Sequence, residues 1–476
     1  MSAPPSLWWS TLDQPVVARP TLDRHLDVDV AIVGGGFTGL WTARELKRRD
    51  SSLRICVLEK SVCGFGASGR NGGWASALFP VSDDALVARY GLESFTHQRQ
   101  VLEEAVVELG RSATSDGIDA HFIQGGTLIF ARSEVQAHRL RTSVEASRQH
   151  GISESDLVWL DQSETRHYAS PTNCFGATYT PHCARVHPAR LVRGLNDVNG
   201  SLGVEIYENT MVTRVVPGKR GRQPEVITVG GSVHADYVVR ATEGFTPTLP
   251  GERRTVAPFY SLMIASEPLA DSFWQEVGFA RYETFADDRR LIIYGQRTND
   301  NRFAFGGRGA SYHFGSTVED RFDGSARVFT KLETILRELF PTMGGAITHR
   351  WGGPLAMPRD QMPSVLVDYE TGMASAGGYT GDGVVLSRVA SSAMADLLTS
   401  PDTETAFTRL PFVQHHSRRW EPEPLRWLGI NAAIALATWA DRTEQRRGVE
   451  GRASKWFDRL ANVGAHDEET GPPDGH

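Results

Sequence analysis

The sequence predicts an α/β fold, and three stretches predict it. The first is "DVDVAIVGGGFTGLWTARELKRRD", an apolar strand that runs into clustered glycines and then into a helix. The second is "LRICVLEK", another apolar strand, which closes on an acid. The third is "MASAGGYTGDGVVLSRVASSAMADLLT", which repeats strand, glycine turn and helix about 340 residues later.

The run Val28–Gly34 has the continuous apolar character of a buried parallel strand. Leu40, Ala43 and Leu46 then recur at helical spacing, so the residues between them and the strand form a tight turn. Gly34, Gly36 and Gly39 make G-x-G-x-x-G, with Phe37 and Thr38 between the last two. The first glycine turns the chain, the second lets a pyrophosphate approach the backbone, and the third lets helix and strand pack closely. Without a ligand, consecutive glycines cost backbone entropy for no return. Glu59, followed by Lys60, stands twenty residues after Gly39, where an acid binds the ribose hydroxyls of an adenosine. Together these features predict a Rossmann-like unit holding an ADP-containing dinucleotide, and the acid disfavours NADP.

Two further glycine-rich segments separate FAD from NAD. Gly64–Trp74 contains Gly66, Ala67, Ser68, Arg70, Asn71, Gly72, Gly73 and Trp74, a backbone rich in exposed amides that suits a flat ring extending beyond the pyrophosphate. Downstream, a strand at Met373–Ala376 leads into Gly378, Tyr379, Thr380, Gly381, Asp382, Gly383 and Val384. The helix that begins there can point its N-terminus at the ribityl chain and pyrimidine edge of a flavin. A simple NAD-dependent dehydrogenase has no need of this second turn. That enzyme and a non-catalytic flavin-binding protein remain the alternatives.

The rest of the composition sets limits. A chain of 476 residues suggests two or three domain-sized units. A net charge of −7 gives a nucleic-acid partner no electrostatic support. The four cysteines, Cys56, Cys63, Cys174 and Cys183, form no C-x-x-C pair, so no metal site is expected. The N-terminal "MSAPPSLWWSTLDQP" lacks the pattern of a secretory signal, so a cytoplasmic location with free thiols is expected. Trp427–Ala440 is apolar but too short to span a bilayer, and is expected to be a packed helix.

An ordered set of motifs carries a wider resemblance: "DVAIVGGGFTGLWTA", "LEK", "GASGRNGGW", "VHPARLVRGL", "VVRATEGFTP", "FGGRGASYHFGS", "HRWGG" and "GGYTGDGV". In this order they resemble the FAD-dependent D-amino acid oxidase superfamily, in its glycine oxidase, sarcosine oxidase and gamma-glutamylputrescine oxidase branch. The resemblance implies a FAD-binding domain interleaved with a substrate domain built on a mixed, mostly antiparallel sheet, α+β in the whole. It assigns 27–82, 170–250 and 345–400 to the first and 83–169 and 251–344 to the second. Around them lie an N-terminal segment (1–26), a C-terminal helical region (401–460) and a polar, disordered tail (461–476). Met211 and Val212 would pass the adenine, and Ala241 and Thr242 the pyrophosphate. Two strands around a Gly-Gly turn are expected at His121–Ala131, and helices at Asp83–Gly110, capped by Ser82 or Asp83, Ser133–His150, Pro188–Asn199 and Asp320–Leu339. FAD is expected to be non-covalent. No cysteine follows Cys183, and Gly64–Trp74 holds no histidine, so neither known attachment point is present.

The resemblance implies oxidation of the C–N bond of a small amine or amino acid. Hydride passes from the carbon beside nitrogen to the flavin, and O2 is the expected final acceptor. Arg308, set between glycines, is the candidate for a substrate carboxylate, because its planar fork fits one bidentately. Trp351 and Tyr379 are the aromatics expected to line the pocket, ahead of Tyr260, Tyr294 and Tyr312. His187-Pro188 reads as a helix start rather than a catalytic pair. His182 shows no partner in the sequence. Lysine-activated O2 chemistry is typical of sarcosine oxidase relatives, yet no lysine lies between Lys219 and Lys331. Either Arg297, Arg302, Arg308 or His313 replaces it, or O2 reacts slowly, or the enzyme is an FAD-dependent amine dehydrogenase that uses another electron acceptor. Substrate identity and oligomeric state are not specified by any motif.

Overall fold

A computed structural model describes residues 6–449, together with Gly451 and Ser454. The tail at 461–476 lies outside the described residues. Two sheets of eight strands each organise the chain. In the first, Ser364–Asp368, Met373–Gly377, Ser232–Arg240, Leu26–Val33, Ile55–Leu58 and Glu205–Tyr207 lie side by side. Leu26–Val33 is central and pairs in parallel with both neighbours. Its last four residues are buried, as expected of a strand covered on both faces. Helices Phe37–Arg49 and Gly383–Thr399 pack on this sheet with Asp83–Ser115 and Pro188–Ser201 in one apolar cluster that includes Leu40, Leu102, Leu195 and Val389.

The second sheet runs Ile347–Met357, Ala257–Ser266, Phe303–Gly307, Ile293–Arg297, Thr284–Asp287, Thr127–Phe130, Ala177–Thr180 and Val158–Leu160. All its pairs are antiparallel except Thr284–Asp287 with Thr127–Phe130. Along Ala257–Ser266, Leu262 and Ile264 face a phenylalanine-rich core under helix Ala326–Leu339. Met263 and Ala265 face the other way, toward Trp8 and Trp351. That second face looks toward the Gly64–Trp74 loop, whose carbonyls Trp8 and Trp351 bond.

Several expectations need correction. Ala177–Thr180 and Ile347–Met357 are hydrogen-bonded into the second sheet, so sheet membership changes later than positions 170 and 345. His121–Ala131 is not a hairpin: only Thr127–Phe130 is a strand, and Ile123 makes a single bridge to Arg185. A Cβ on Gly125 would lie 2.2 Å from the Arg281 carbonyl oxygen, so this glycine serves a close approach rather than a hairpin turn. The helix expected from Asp320 starts at Ala326, after a 3-10 turn at Asp320–Asp323 and Gly324. Ser82 begins the long helix without a side-chain cap, and that helix kinks at Gly91 and continues to Ser115. The late apolar segment lies in helix Leu425–Arg447 but packs on one side only: Ile430, Ala437 and Ala440 are buried, while Leu428 and Trp439 are exposed. Among the described residues, no helix is long and apolar enough to cross a membrane.

Candidate active site

The first glycine turn is shaped by backbone contacts. Gly34 has φ +111°, and a Cβ there would sit 2.4 Å from the Ala241 carbonyl oxygen. A Cβ on Gly39 would meet the Gly34 carbonyl oxygen at 2.0 Å, so strand and helix approach as closely as the motif requires. Gly36 caps helix Phe37–Arg49, whose first amides have no intrahelical acceptor. One of them, Phe37 N–H, donates to Ser68 Oγ at 2.8 Å. Thr38 faces the second turn.

Glu59 follows Ile55–Leu58, and its two carboxylate oxygens accept from Gly35 N–H and Ser61 N–H, both at 2.8 Å. Burial pushes its carboxyl up against the pull of these amides. The Glu59 carbonyl accepts from Thr210 N–H at 2.8 Å, which sets Met211 and Val212 beside the acid. Met211 is exposed and Val212 opens strand Val212–Val216. Lys60 is exposed. Ala241 N–H bonds Val33, and the Thr242 hydroxyl pairs with Thr246 at 2.8 Å.

The loop Gly64–Trp74 is braced from outside. Trp8 Nε1 donates to the Asn71 carbonyl and Trp351 Nε1 to the Arg70 carbonyl, each at 2.8 Å. Gln296 Nε2 donates to the Gly72 and Gly73 carbonyls at 2.6 and 3.1 Å. Within the loop, Asn71 bonds Ala67, Ser68 and Gly73. Arg70 is buried, forms an ion pair with Asp323 and keeps one buried Nη2 without a partner. Gly66 faces the ring of Phe245, and Trp74 packs edge-on against Tyr294.

At the second turn, Gly378, Thr380 and Gly381 all have positive φ, and Asp382 precedes helix Gly383–Thr399, in which Val384 is buried. Tyr379 OH meets Thr38 Oγ1 at 3.0 Å, so the two glycine turns touch. Beneath the turn, Glu243 accepts from Gly378 N–H at 2.8 Å and Ala356 N–H at 3.2 Å, and burial pushes its carboxyl up to about 7. Arg308 donates to the Thr380 carbonyl at 2.5 Å. Burial lowers its pKa, with Asp382 and Tyr294 opposing. Asp382 is pushed up to about 6 by burial, with Arg308 pulling it down. Tyr294 OH and Ser261 Oγ lie 2.7 Å apart, and the Tyr294 ring covers Gly72 and Gly306. The second sheet therefore presents Tyr294, Ser261 and Arg308 toward the glycine-rich elements.

Of the expected pocket aromatics, Trp351 supports the loop from behind and Tyr379 links the two turns. Tyr312 bonds Ser316 and Glu423, under the C-terminal helix. Tyr260 packs edge-on to His313. His187 is the cap of helix Pro188–Ser201, its Nδ1 accepting from Arg190 N–H. His182 does have partners: its Nε2 lies 3.0 Å from Asp156 and 3.6 Å from Glu103. Cys63 is buried beside Glu59 and Glu208, and burial holds its thiol protonated. Ser261 and Gln296 are neighbours of the glycine-rich elements that no motif marks, and Glu243, though inside "VVRATEGFTP", is not singled out by it. Only Glu243 leaves a trace in the sequence, as an acid directly after the apolar strand "VVRAT".

These elements have the layout of a dinucleotide site: an acid after the second strand, two glycine turns that meet through Thr38 and Tyr379, and the face of a second sheet beside them. FAD has the length and chemistry for such a site, and the Cβ-free run Gly34–Gly36 fits its pyrophosphate. A sequence profile described as "DAO: FAD dependent oxidoreductase" matches residues 29–397, and the chain belongs to that family. It is 28% identical over 397 residues to gamma-glutamylputrescine oxidoreductase of Escherichia coli (strain K12), covering 82% of this chain and 88% of that protein. It is 27% identical over 400 residues to glycine oxidase of Geobacillus kaustophilus (strain HTA426), covering 81% and 96%. The crystal structure of a glycine oxidase from Geobacillus kaustophilus superposes with TM-score 0.68 at 23% identity, over 83% of this chain and all of that one. L-proline dehydrogenase from P. horikoshii gives TM-score 0.64 at 16% identity, over 83% and 98%. The protein is thus a FAD-dependent oxidoreductase.

Proposed function

We propose that this enzyme oxidises a primary or secondary amine, or an amino acid, to the imine, and passes the electrons to O2 with release of hydrogen peroxide. FAD, when bound, supplies the two-electron acceptor. Its attachment is non-covalent in this reading, because the four cysteines are buried and the flavin loop contains no histidine. Residues 27–82, the later strands of the first sheet and helix Gly383–Thr399 form the FAD domain, and the second sheet forms the substrate domain.

The observation that carries the reading is the placement of Arg308. Its guanidinium sits against the second glycine turn, and Tyr294 and Ser261 share its sheet face. A buried cation there disfavours a protonated amine and so favours the neutral form that gives up hydride. It also offers a fork to a substrate carboxylate. The buried Tyr294 phenol is held protonated and can orient the donor with Ser261. Of the four cations named for O2 activation, Arg297 is bonded to Asn301 and Arg302 to Asp300, while His313 stacks on Phe322. Arg308 is the one held at the turn, so we assign it the electrostatic role in O2 reduction as well.

An anaerobic screen of amines and amino acids tests this, with loss of visible flavin absorbance as the readout. Bleaching by at least one amine, followed by reoxidation in air faster than that of free reduced flavin, is expected. No bleaching by any amine would refute the assigned chemistry. Slow reoxidation with fast turnover on an artificial dye would refute the oxidase reading alone.

A further inference from the structure

A cavity of about 140 Å³ lies beside the flavin loop, between the N-terminal helix Leu7–Ser10, the strand Cys183–Arg185 and the turn at 298–300. None of its lining residues belongs to either glycine turn or to Gly64–Trp74. Its charged wall is Arg185, which is 1% exposed. The Arg185 guanidinium lies 4.2 Å from the centre of the Tyr282 ring, and Nη2 donates to Asn299 Oδ1 at 3.0 Å. Nε is buried and has no hydrogen-bond partner. Among the described residues, no carboxylate pairs with this arginine.

The surroundings do not neutralise it. Asp300 acts from longer range and is already bonded to Arg302 Nε and Thr298 Oγ1, each at 2.6 Å. Arg190 pairs with Asp13 at 2.5 Å. Arg297 stacks on the same Tyr282 ring at 4.8 Å, adding positive charge. Burial and Arg297 lower Arg185 only to about 10, so it stays charged at neutral pH. His187 contributes no charge: Nδ1 accepts from Arg190 N–H, Nε2 donates to Thr11 Oγ1 at 3.0 Å, and burial holds it down to about 3. His121 is likewise lowered by burial and by Arg190.

A buried cation without a counter-anion is costly, and an anion entering the cavity is the direct remedy. One unmatched charge and a free Nε–H beside Nη2 suit a planar monoanion. The volume far exceeds the 10–15 Å³ or so that one water needs. Asn299 and Asp300 are exposed, which leaves a route from solvent. We propose that this cavity binds a small carboxylate, anchored on Arg185, at a site separate from the one that takes substrate. Gln296 lines the same cavity and holds the Gly72 and Gly73 carbonyls, so an occupant would border the flavin loop.

The test is a titration of sodium acetate against the FAD-loaded enzyme at constant ionic strength, read as melting temperature and by calorimetry. A saturable rise in melting temperature is expected. Arg185→Gln should weaken acetate at least about tenfold, the scale of a charge-assisted pair. Asp300→Asn, at an exposed position, should tighten it. Arg308→Gln should leave acetate affinity unchanged. If Arg185→Gln fails to fold, Asn299→Leu serves in its place and should weaken acetate by loosening the guanidinium. No saturable response in the native enzyme overturns the proposal, as does an unchanged response in both Arg185→Gln and Asn299→Leu. Loss of the response in Arg308→Gln but not in Arg185→Gln also overturns it, by placing acetate in the substrate site.

Discussion

The two glycine turns that open helices Phe37–Arg49 and Gly383–Thr399 are enclosed by different means. The first is closed by backbone at both ends, and side chains come nearest only at Gly35 and Gly36: the Ala241 carbonyl faces Gly34, and the Gly34 carbonyl faces Gly39. The second is enclosed by side chains from distant segments. Arg308 reaches Thr380 from 72 positions away, and Glu243 reaches Gly378 from 135. Backbone walls do not move without moving a strand, whereas side chains can shift or change protonation. The first turn is therefore a fixed cradle and the second an adjustable one, and it is the second that Arg308, just after strand Phe303–Gly307 of the second sheet, touches.

The largest expected effect breaks this comparison directly. Gly34→Ala forces φ +111° on an alanine and drives its Cβ into a carbonyl oxygen at 2.4 Å. It should cost about 3 kcal/mol or more of folding stability, with loss of bound FAD. Gly381→Ala has a similar φ of +117°, but its Cβ meets the end of the Arg308 side chain at 2.7 Å. Its cost should stay near the conformational term of about 1–2 kcal/mol. Denaturant unfolding of the two variants gives the answer, and equal losses would remove the distinction.

Next in size is Glu59→Ala, which probes the fixed cradle without straining it. Loss of a charge-assisted hydrogen bond to ribose, worth about 1.5–3 kcal/mol, should lower FAD affinity at least tenfold. Flavin content after exhaustive dialysis measures it, and full retention would show that Glu59 merely holds Gly35 and Ser61. A smaller effect is expected at the adjustable turn. Arg308→Lys keeps the charge but loses the fork, so KM for the best carboxylate-bearing substrate should rise about five- to tenfold with FAD binding little changed. A neutral outcome, or a best substrate with no carboxylate, would leave Arg308 its electrostatic role alone.

The same contrast explains what could be read from the sequence. The first turn, its helix and Glu59 lie within one local stretch, so spacing alone reveals them. Tyr294, Ser261 and Gln296 converge only because strands far apart in the chain pair across a sheet, and no local pattern records that register. Alternation along "YSLMIA" does not help either. Leu262 and Ile264 face one core while Met263 and Ala265 face another, so both sides of the strand are apolar. The glycine pair at 125–126 misled for a related reason. A hairpin glycine and one that admits a neighbouring carbonyl look alike until the neighbour, here Arg281, is known. The N-terminal Trp8 carried no motif at all, yet its indole braces the Gly64–Trp74 loop.

The last expected effect is a slope rather than an offset, and concerns the acid beneath the adjustable turn. Glu243 has an ordinary value near 4.5 and is pushed up to about 7 in the folded protein, chiefly by burial. Between these values the folded chain keeps a proton that the unfolded chain releases. The stability contributed by that proton is therefore complete below about pH 4.5 and is lost as pH rises to about 7. The slope for one proton is about 1.4 kcal/mol per pH unit at most. Asp382, pushed up to about 6, acts in the same direction, so the native profile alone does not isolate Glu243. The difference between native enzyme and Glu243→Gln does. Glutamine cannot ionise, and its amide leaves one of the two backbone donors poorly matched, so the variant should be less stable at low pH. That deficit should shrink by about 1 kcal/mol per pH unit from pH 5 to 7, because only the native enzyme carries this loss. Denaturant unfolding at several pH values measures the trend. Parallel profiles would mean that the Gly378 and Ala356 amides hold Glu243 ionised throughout, and that the second turn is as fixed as the first.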